Sequence, residues 1–172
     1  MFYNNKTSTV TQPARIDSIL NYTAGHDLAV QLGNISFSGV DTYVDAAVAS
    51  LDGDRTATRR RIFGVAGAVT GIRQRTAVKV GDRVTKSGLT TGITNGVVRY
   101  TSVSGPDGSQ PNQFAIEGDN GTPFADNGDS GSVVLSGTEV MGLLWGLNGG
   151  DGRKYGIVTP IQAVTQALNF QV

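Results

Sequence analysis

The stretch from Asp126 to Ser132 carries the residue types that nucleophilic chemistry needs. It contains Gly128-Asp129-Ser130-Gly131 and runs directly into the apolar residues Val133–Leu135. A serine hydroxyl attacks a carbonyl carbon effectively only when a base takes its proton and donors await the oxyanion. The flanking glycines let the backbone turn sharply and point its N–H groups outward. We therefore interpret Ser130 as a candidate nucleophile, although a plain Asp-Gly turn is the other reading in a chain with 24 glycines.

The composition limits the other chemistry that the chain can perform. Its 172 residues include no cysteine and a single histidine, His26, and 14 basic residues balance 14 acidic ones. Disulfides, a thiolate nucleophile and a cysteine zinc cage are therefore excluded. We expect no cofactor or metal, and the balanced charge indicates neither nucleic acid nor an anionic membrane as a partner. No apolar run approaches the roughly 20 residues of a membrane helix, and the N-terminus lacks a signal-peptide core.

The elements that must position Ser130 are predicted to be strands. Short β-prone runs recur along the chain, separated by Gly, Asn and Asp. These runs are Ala29–Phe37, Val44–Leu51, Thr76–Val80, Gly96–Val103, Gln113–Ile116, Ser132–Leu135, Val140–Leu144 and Tyr155–Val158. Their spacing favours an antiparallel barrel or sandwich and leaves no room for crossover helices. The chain is therefore predicted to be all-β.

One helix is predicted at the end of the chain, near Thr159–Asn169. Thr159 is its expected cap, and Pro160 fits in the first turn. Four residues then fall on one face and form a stripe that can dock against a barrel wall: Ile161, Val164, Thr165 and Leu168.

Segments around the Ser130 loop resemble bacterial chymotrypsin-like serine peptidases. Lys86-Ser87-Gly88-Leu89-Thr90-Thr91-Gly92, within Val84–Gly96, is similar to their Ser-Gly-x-Thr-Thr-Gly hairpin. Met141–Gly146 is similar to the substrate-binding strand, and Tyr155–Val158 with the terminal helix resembles the end of the second barrel. Those enzymes often bridge the hairpin with two cysteines, whereas this chain has Thr85 and Asn95 at the matching positions. The resemblance extends from Val84 to Leu168.

The resemblance implies a chymotrypsin-like double β-barrel with a C-terminal helix and an incomplete first barrel. The expected division is residues 1–51 for the first barrel, 52–68 for a linker, and 69–172 for the second barrel with the helix. The implied function is a serine endopeptidase-type hydrolase that cleaves peptide bonds in a peptide or protein substrate. A β-sandwich adhesion or carbohydrate-binding domain, in which GDSG is only a turn, is the alternative from another class.

The resemblance also implies roles for individual residues. Ser130 would attack the carbonyl, and the backbone N–H groups of Gly128 and Ser130 would form the oxyanion hole. Three residues would line the cleft, where the substrate backbone can pair as an added strand: Leu144, Trp145 and Gly146. Asp129 would make a buried ion pair that orders the oxyanion loop, with a positive partner that the sequence does not name.

Asp45 is the candidate for the carboxylate that orients a histidine base. Val44–Ala49 resembles the segment of the family that carries this aspartate, and its small alanines allow a base to approach closely. Asp41 is the competing candidate, and the Ala-rich strand favours Asp45. The structural alternative for Asp45 is a turn residue at the entry of a strand.

Two alignments are possible for the base itself. Thr23-Ala24-Gly25-His26 resembles the histidine motif of the family and would complete His26, Asp45 and Ser130 in chymotrypsin order. The strand count opposes this alignment. A first barrel of this family needs about three strands before the histidine and two between the histidine and the aspartate. At about 5–6 residues per strand plus turns, residues 1–25 are too short for three strands, and the interval from His26 to Asp45 holds only one.

The second alignment fits the strand count better. Thr11–Arg15 and Val44–Ala47 resemble two landmarks of cysteine-free, GDSG-bearing bacterial peptidase-like proteins related to the plant narrow-leaf group. In those proteins the histidine lies in an Asn-x-His-Val motif further upstream, so the base would precede Met1. We favour this alignment, which predicts that His26 lies away from the cleft and that Asp45 faces Ser130 across an empty base position. It makes an inactive or truncated peptidase-like binding module the alternative function.

Overall fold

The computed structural model of the chain describes residues 9–12, 22–51, 60–104, 108–150 and 152–172. Ten strands and one α-helix lie within these ranges. They are β1 Thr9–Gln12, β2 Tyr22–Phe37, β3 Val40–Leu51, β4 Gly71–Ile72, β5 Arg83–Gly88, β6 Gly92–Val103, β7 Gln113–Gly118, β8 Val133–Ser136, β9 Glu139–Gly150, β10 Arg153–Pro160 and α1 Ile161–Leu168. None of the helices in the described ranges is long and apolar enough to cross a membrane.

Strands β5 to β10 close into a six-stranded antiparallel barrel. Their order around the barrel is β10-β7-β6-β5-β8-β9, and pairing of β9 with β10 closes the circle. The interior is filled by residues that alternate inward along the strands: Val84, Val98, Phe114, Ile116, Val134, Met141, Leu144 and Val158. This alternation, with period two, is what makes a half-buried sheet stable. The prediction of an all-β barrel followed by a terminal helix is confirmed.

A three-stranded sheet packs beside the barrel and is held to it by α1. Its order is β1-β2-β3, and β2 turns into β3 through Ser38 and Gly39, whose positive φ angles of 52° and 76° suit a two-residue hairpin loop. Val44 on β3 is buried in one cluster with Ile161 and Val164 of α1. The remaining buried members of this cluster are Ala46, Val69, Leu135, Val140 and Ala163. Tyr43 and Asp45, which alternate with these residues, therefore face away from α1.

Several local predictions need correction. Thr159 does not cap α1, because its hydroxyl donates to Gln113 Oε1 at 2.7 Å, and Pro160 occupies the N-cap position instead of the first turn. The predicted strand Thr76–Val80 contains a short 3-10 turn, Arg75–Ala77. The barrel strands run from Arg83 to Pro160, and β4 adds a short parallel pairing to β9.

Candidate active site

Ser130 lies on an exposed turn that is tied to the neighbouring strand β9. Its Oγ donates to the carbonyl of Trp145 at 3.3 Å. The backbone on its C-terminal side is held by two further bonds, from Gly131 N to Leu144 O at 2.7 Å and from Leu144 N to Ser132 O at 2.9 Å. The side chain of Leu144 itself is buried in the barrel core, so this residue contributes its backbone to the loop. The Ser130 side chain is thus exposed on a turn that is hydrogen-bonded to β9.

The residues before Ser130 form a type II turn. Asp129 N donates to Asp126 O at 3.0 Å, and Gly128 at the third position of the turn has a φ of 99°. A positive φ at this position defines type II and favours glycine. A Cβ at residue 128 would lie 2.4 Å from Thr90 Oγ1. Glycine is therefore required here both by backbone conformation and by space.

The carboxylate of Asp129 fastens this turn to the tip of the β5–β6 hairpin. It is completely buried, and its Oδ1 accepts from Thr90 N at 2.8 Å and Thr91 N at 3.2 Å. Its Oδ2 accepts from Thr91 Oγ1 at 2.6 Å and Asp126 N at 3.1 Å. Burial raises the pKa of Asp129, but these hydrogen bonds favour the ionised form more strongly and hold the pKa at about 2.

Lys86 is the positive partner of Asp129. Its Nζ lies 3.2 Å from Asp129 Oδ2, and both side chains are wholly inaccessible to solvent. The ammonium also donates to Thr91 Oγ1 at 2.5 Å and to Gly92 O at 3.2 Å. Burial lowers the pKa of Lys86, and the bond to Asp129 raises it. Lys86 follows the buried Val84 by two residues on β5, so its side chain points into the barrel.

We expect the buried Asp129 to make the fold sensitive to acid. The pKa of Asp129 in the folded protein, about 2, is below its ordinary value of 3.8. Its stabilising contribution is complete above about pH 4 and is lost as the pH falls towards 2, at roughly 2 kcal/mol in total. Urea unfolding at pH 5, 4, 3 and 2.5 measures this loss. Asp129→Asn should show a shallower decline over the same interval, and equal declines would contradict the assignment.

Gln113 connects the two sheets at the wall beside Ser130. Its buried side chain accepts from Trp145 Nε1 at 2.7 Å and donates to Tyr43 O at 3.1 Å. The Tyr43 ring packs against the Trp145 ring with centroids 5.1 Å apart. Trp145, which the sequence predicted to line the cleft, is thus fixed in orientation by a residue that carries no recognisable motif. Only the pairing of distant strands brings Gln113 to this place.

Asp45 and His26 are far apart in the β2–β3 hairpin. Asp45 pairs with Leu32 of β2, whereas His26, six residues before Leu32 on the same strand, pairs with Ser50. At about 3.3 Å per residue, the backbones of the two residues are separated by about 20 Å along the strand. Asp45 lies on the same face of β3 as Tyr43, two residues away. Although its side chain is exposed, desolvation by the surrounding chain raises the pKa of Asp45.

Solved bacterial proteases share this architecture. The chymotrypsin of Cellulomonas bogoriensis superposes with a TM-score of 0.61 at 24% identity, over 86% of this chain and 74% of that one. The Nocardiopsis protease gives 0.61 at 21% identity, over 96% and 84%. Protease A of Thermobifida fusca gives 0.59 at 19% identity, over 90% and 92%. These likenesses show a chymotrypsin-like fold.

The family follows from the sequence itself. No curated protein matches the chain significantly. The profile described as Peptidase family S64, however, matches residues 25–171. This range contains β2 from Gly25 onward, β3, the entire barrel with the Ser130 loop, and α1. The chain therefore belongs to peptidase family S64.

Proposed function

We propose that the chain is a serine endopeptidase-type hydrolase with Ser130 as its nucleophile. The observation that carries the proposal is the construction of the Ser130 loop. An exposed serine follows a type II turn, and the turn is fastened from below by the buried Asp129–Lys86 pair. Burying two charges is costly unless they are paired and hydrogen-bonded. The buried Asp129–Lys86 pair therefore supports a role in which the Ser130 loop must keep one particular shape, in addition to being stable.

In the proposed reaction, Ser130 Oγ attacks the carbonyl carbon of the scissile peptide bond while a base takes its proton. The N–H groups of Gly128 and Ser130 stabilise the oxyanion at distances of about 2.7–3.1 Å. The leaving amine takes up the proton, and water then hydrolyses the acyl-enzyme. Asp45 is the proposed carboxylate that would orient an imidazole base, and the one histidine of the sequence, His26, pairs six residues away from it in the described hairpin. The substrate backbone pairs with the segment Leu144–Gly146 beside the Trp145–Tyr43 wall.

Peptide binding without turnover is the second candidate function. It is favoured by one observation, the separation of His26 from Asp45 in the hairpin register. His26 is the only histidine in the sequence, and loss of the histidine from a Ser-His-Asp triad costs about 10⁶ in turnover. A cleft of this form that lacks a base beside Ser130 would bind an extended peptide and release it uncut.

A fluorophosphonate probe separates the two candidates, because it labels a serine only when that serine is activated. For the hydrolase we expect labelling of the wild-type chain at Ser130, identified by mass spectrometry, and none in Ser130→Ala. Labelling of His26→Ala at the wild-type rate would mean that a group other than His26 takes the proton, in agreement with the register. Loss of labelling in a folded His26→Ala protein would instead make His26 the base. A folded wild-type chain that is not labelled would support the binding module.

A further inference from the structure

We propose that Thr90 is a positioning residue that sets the orientation of the Asn127–Gly128 peptide group. This inference rests on the proposed function, since the N–H of that peptide is one of the two proposed oxyanion donors. Thr90 Oγ1 donates to the carbonyl oxygen of Asn127 at 2.7 Å. Thr90 is therefore in contact with the backbone atoms that decide where the Gly128 N–H points.

Peptide planarity converts this hydrogen bond into an orientation. In a trans peptide, the C=O of Asn127 and the N–H of Gly128 point in opposite directions. Because the carbonyl is directed at Thr90, the N–H is directed away from the β5–β6 hairpin. Rotation of this peptide group by about half a turn would convert the type II turn into type I, in which φ at the third position is near −90°. The donor would then point at the hairpin.

Gly128 does not by itself prevent this rotation, because glycine adopts positive and negative φ about equally readily. Thr90 is well placed to prevent it. Its backbone N–H is bound to Asp129 Oδ1 at 2.8 Å, so Thr90 contacts the chain on both sides of Gly128. The buried pair of Lys86 and Asp129 thus holds the hairpin tip in place, and the hydroxyl of Thr90 selects the turn type.

The test compares Thr90→Val, which keeps the shape but removes the donor, with Thr90→Ser, which keeps the donor. Crystal structures of both variants show the turn type, and fluorophosphonate labelling rates show whether the Gly128 N–H still serves as an oxyanion donor. We expect a type I turn in Thr90→Val and labelling slowed by about 10²-fold or more, because the Gly128 N–H is then lost as an oxyanion donor. Thr90→Ser should keep type II and label within about twofold of wild type.

Thr94→Val is the matched control. Thr94 lies on the same hairpin, and its hydroxyl donates to Phe124 O at 2.6 Å, so the variant removes a similar bond that does not involve the Asn127 carbonyl. We expect it to keep the type II turn and to label within about twofold of wild type.

The outcomes separate this inference from the proposed function. A type II turn retained in Thr90→Val, or an equal loss of labelling in Thr94→Val, would overturn the role of Thr90. A flipped peptide in Thr90→Val, together with a wild-type chain that is never labelled, would leave the positioning role intact. The absence of wild-type labelling would instead contradict the proposed hydrolase activity.

Discussion

Lys86→Met is expected to destabilise the protein by about 3–5 kcal/mol and to abolish phosphonate labelling of Ser130. The substitution keeps an apolar side chain of similar length but leaves the carboxylate of Asp129 buried without a counter-charge. Either the Asp129 carboxylate must then take up a proton, or the loop must open so that water reaches the carboxylate. Opening would break the bonds from Thr90 and Thr91 that hold the turn before Ser130. Urea unfolding and labelling kinetics measure the two effects.

Arg83→Met is the control for Lys86→Met. Arg83 lies three residues earlier on the same strand and pairs with Asp119, but its side chain is 66% exposed. An exposed ion pair contributes about 0–1 kcal/mol, so this variant should unfold and label nearly as the wild type does. Replacing both members of the buried pair, as in Lys86→Met with Asp129→Leu, should recover part of the stability but not the labelling. Similar losses in the Lys86 and Arg83 variants would contradict the importance of burial.

Gly128→Ala is expected to slow labelling of Ser130 by about 10²–10³-fold, the loss seen when an oxyanion donor is removed. The new Cβ would lie 2.4 Å from Thr90 Oγ1, and an L-residue is strained at a φ of 99°. Both effects are relieved if the turn changes from type II to type I, and that change moves the N–H of residue 128. Labelling kinetics, with far-ultraviolet circular dichroism to verify folding, give the result.

Gly137→Ala separates the loss of the donor from simple backbone strain. Gly137 also has a positive φ, 60°, but a Cβ there would meet no atom within 4 Å. This variant should cost about 1–2 kcal/mol of stability and leave the labelling rate unchanged. Normal labelling of Gly128→Ala would show that the N–H of residue 128 does not serve the reaction.

Local sequence was sufficient for the features that depend on near neighbours. Glycines around Ser130 predicted an exposed turn, and inward-outward alternation predicted the barrel strands. The local predictions that failed concern residues whose contacts come from distant parts of the sequence. Thr159 has the chemistry of a helix cap, yet its hydroxyl binds Gln113 because barrel closure brings β10 beside β7. Tertiary contacts therefore decided which hydrogen bond the residue makes.

The arrangement around the candidate site depended even more on strand pairing. Lys86 meets Asp129 because β5 pairs with β8, which begins just after the Ser130 loop. No spacing in the sequence contains that information. The separation of His26 from Asp45 likewise follows from hairpin register. The strand count assumed strands of 5–6 residues, whereas β2 is a single strand of 16 residues that includes His26.

The most direct test of Ser130 as a nucleophile beside an oxyanion hole is the crystal structure of the chain with a peptide boronic acid. The proposal predicts a tetrahedral boron bonded to Ser130 Oγ. One boronate oxygen should lie about 2.7–3.1 Å from the backbone nitrogens of Gly128 and Ser130, with the peptide paired along Leu144–Gly146. A peptide bound along that strand with a trigonal boron, distant from Ser130, would contradict the nucleophile and leave a binding cleft.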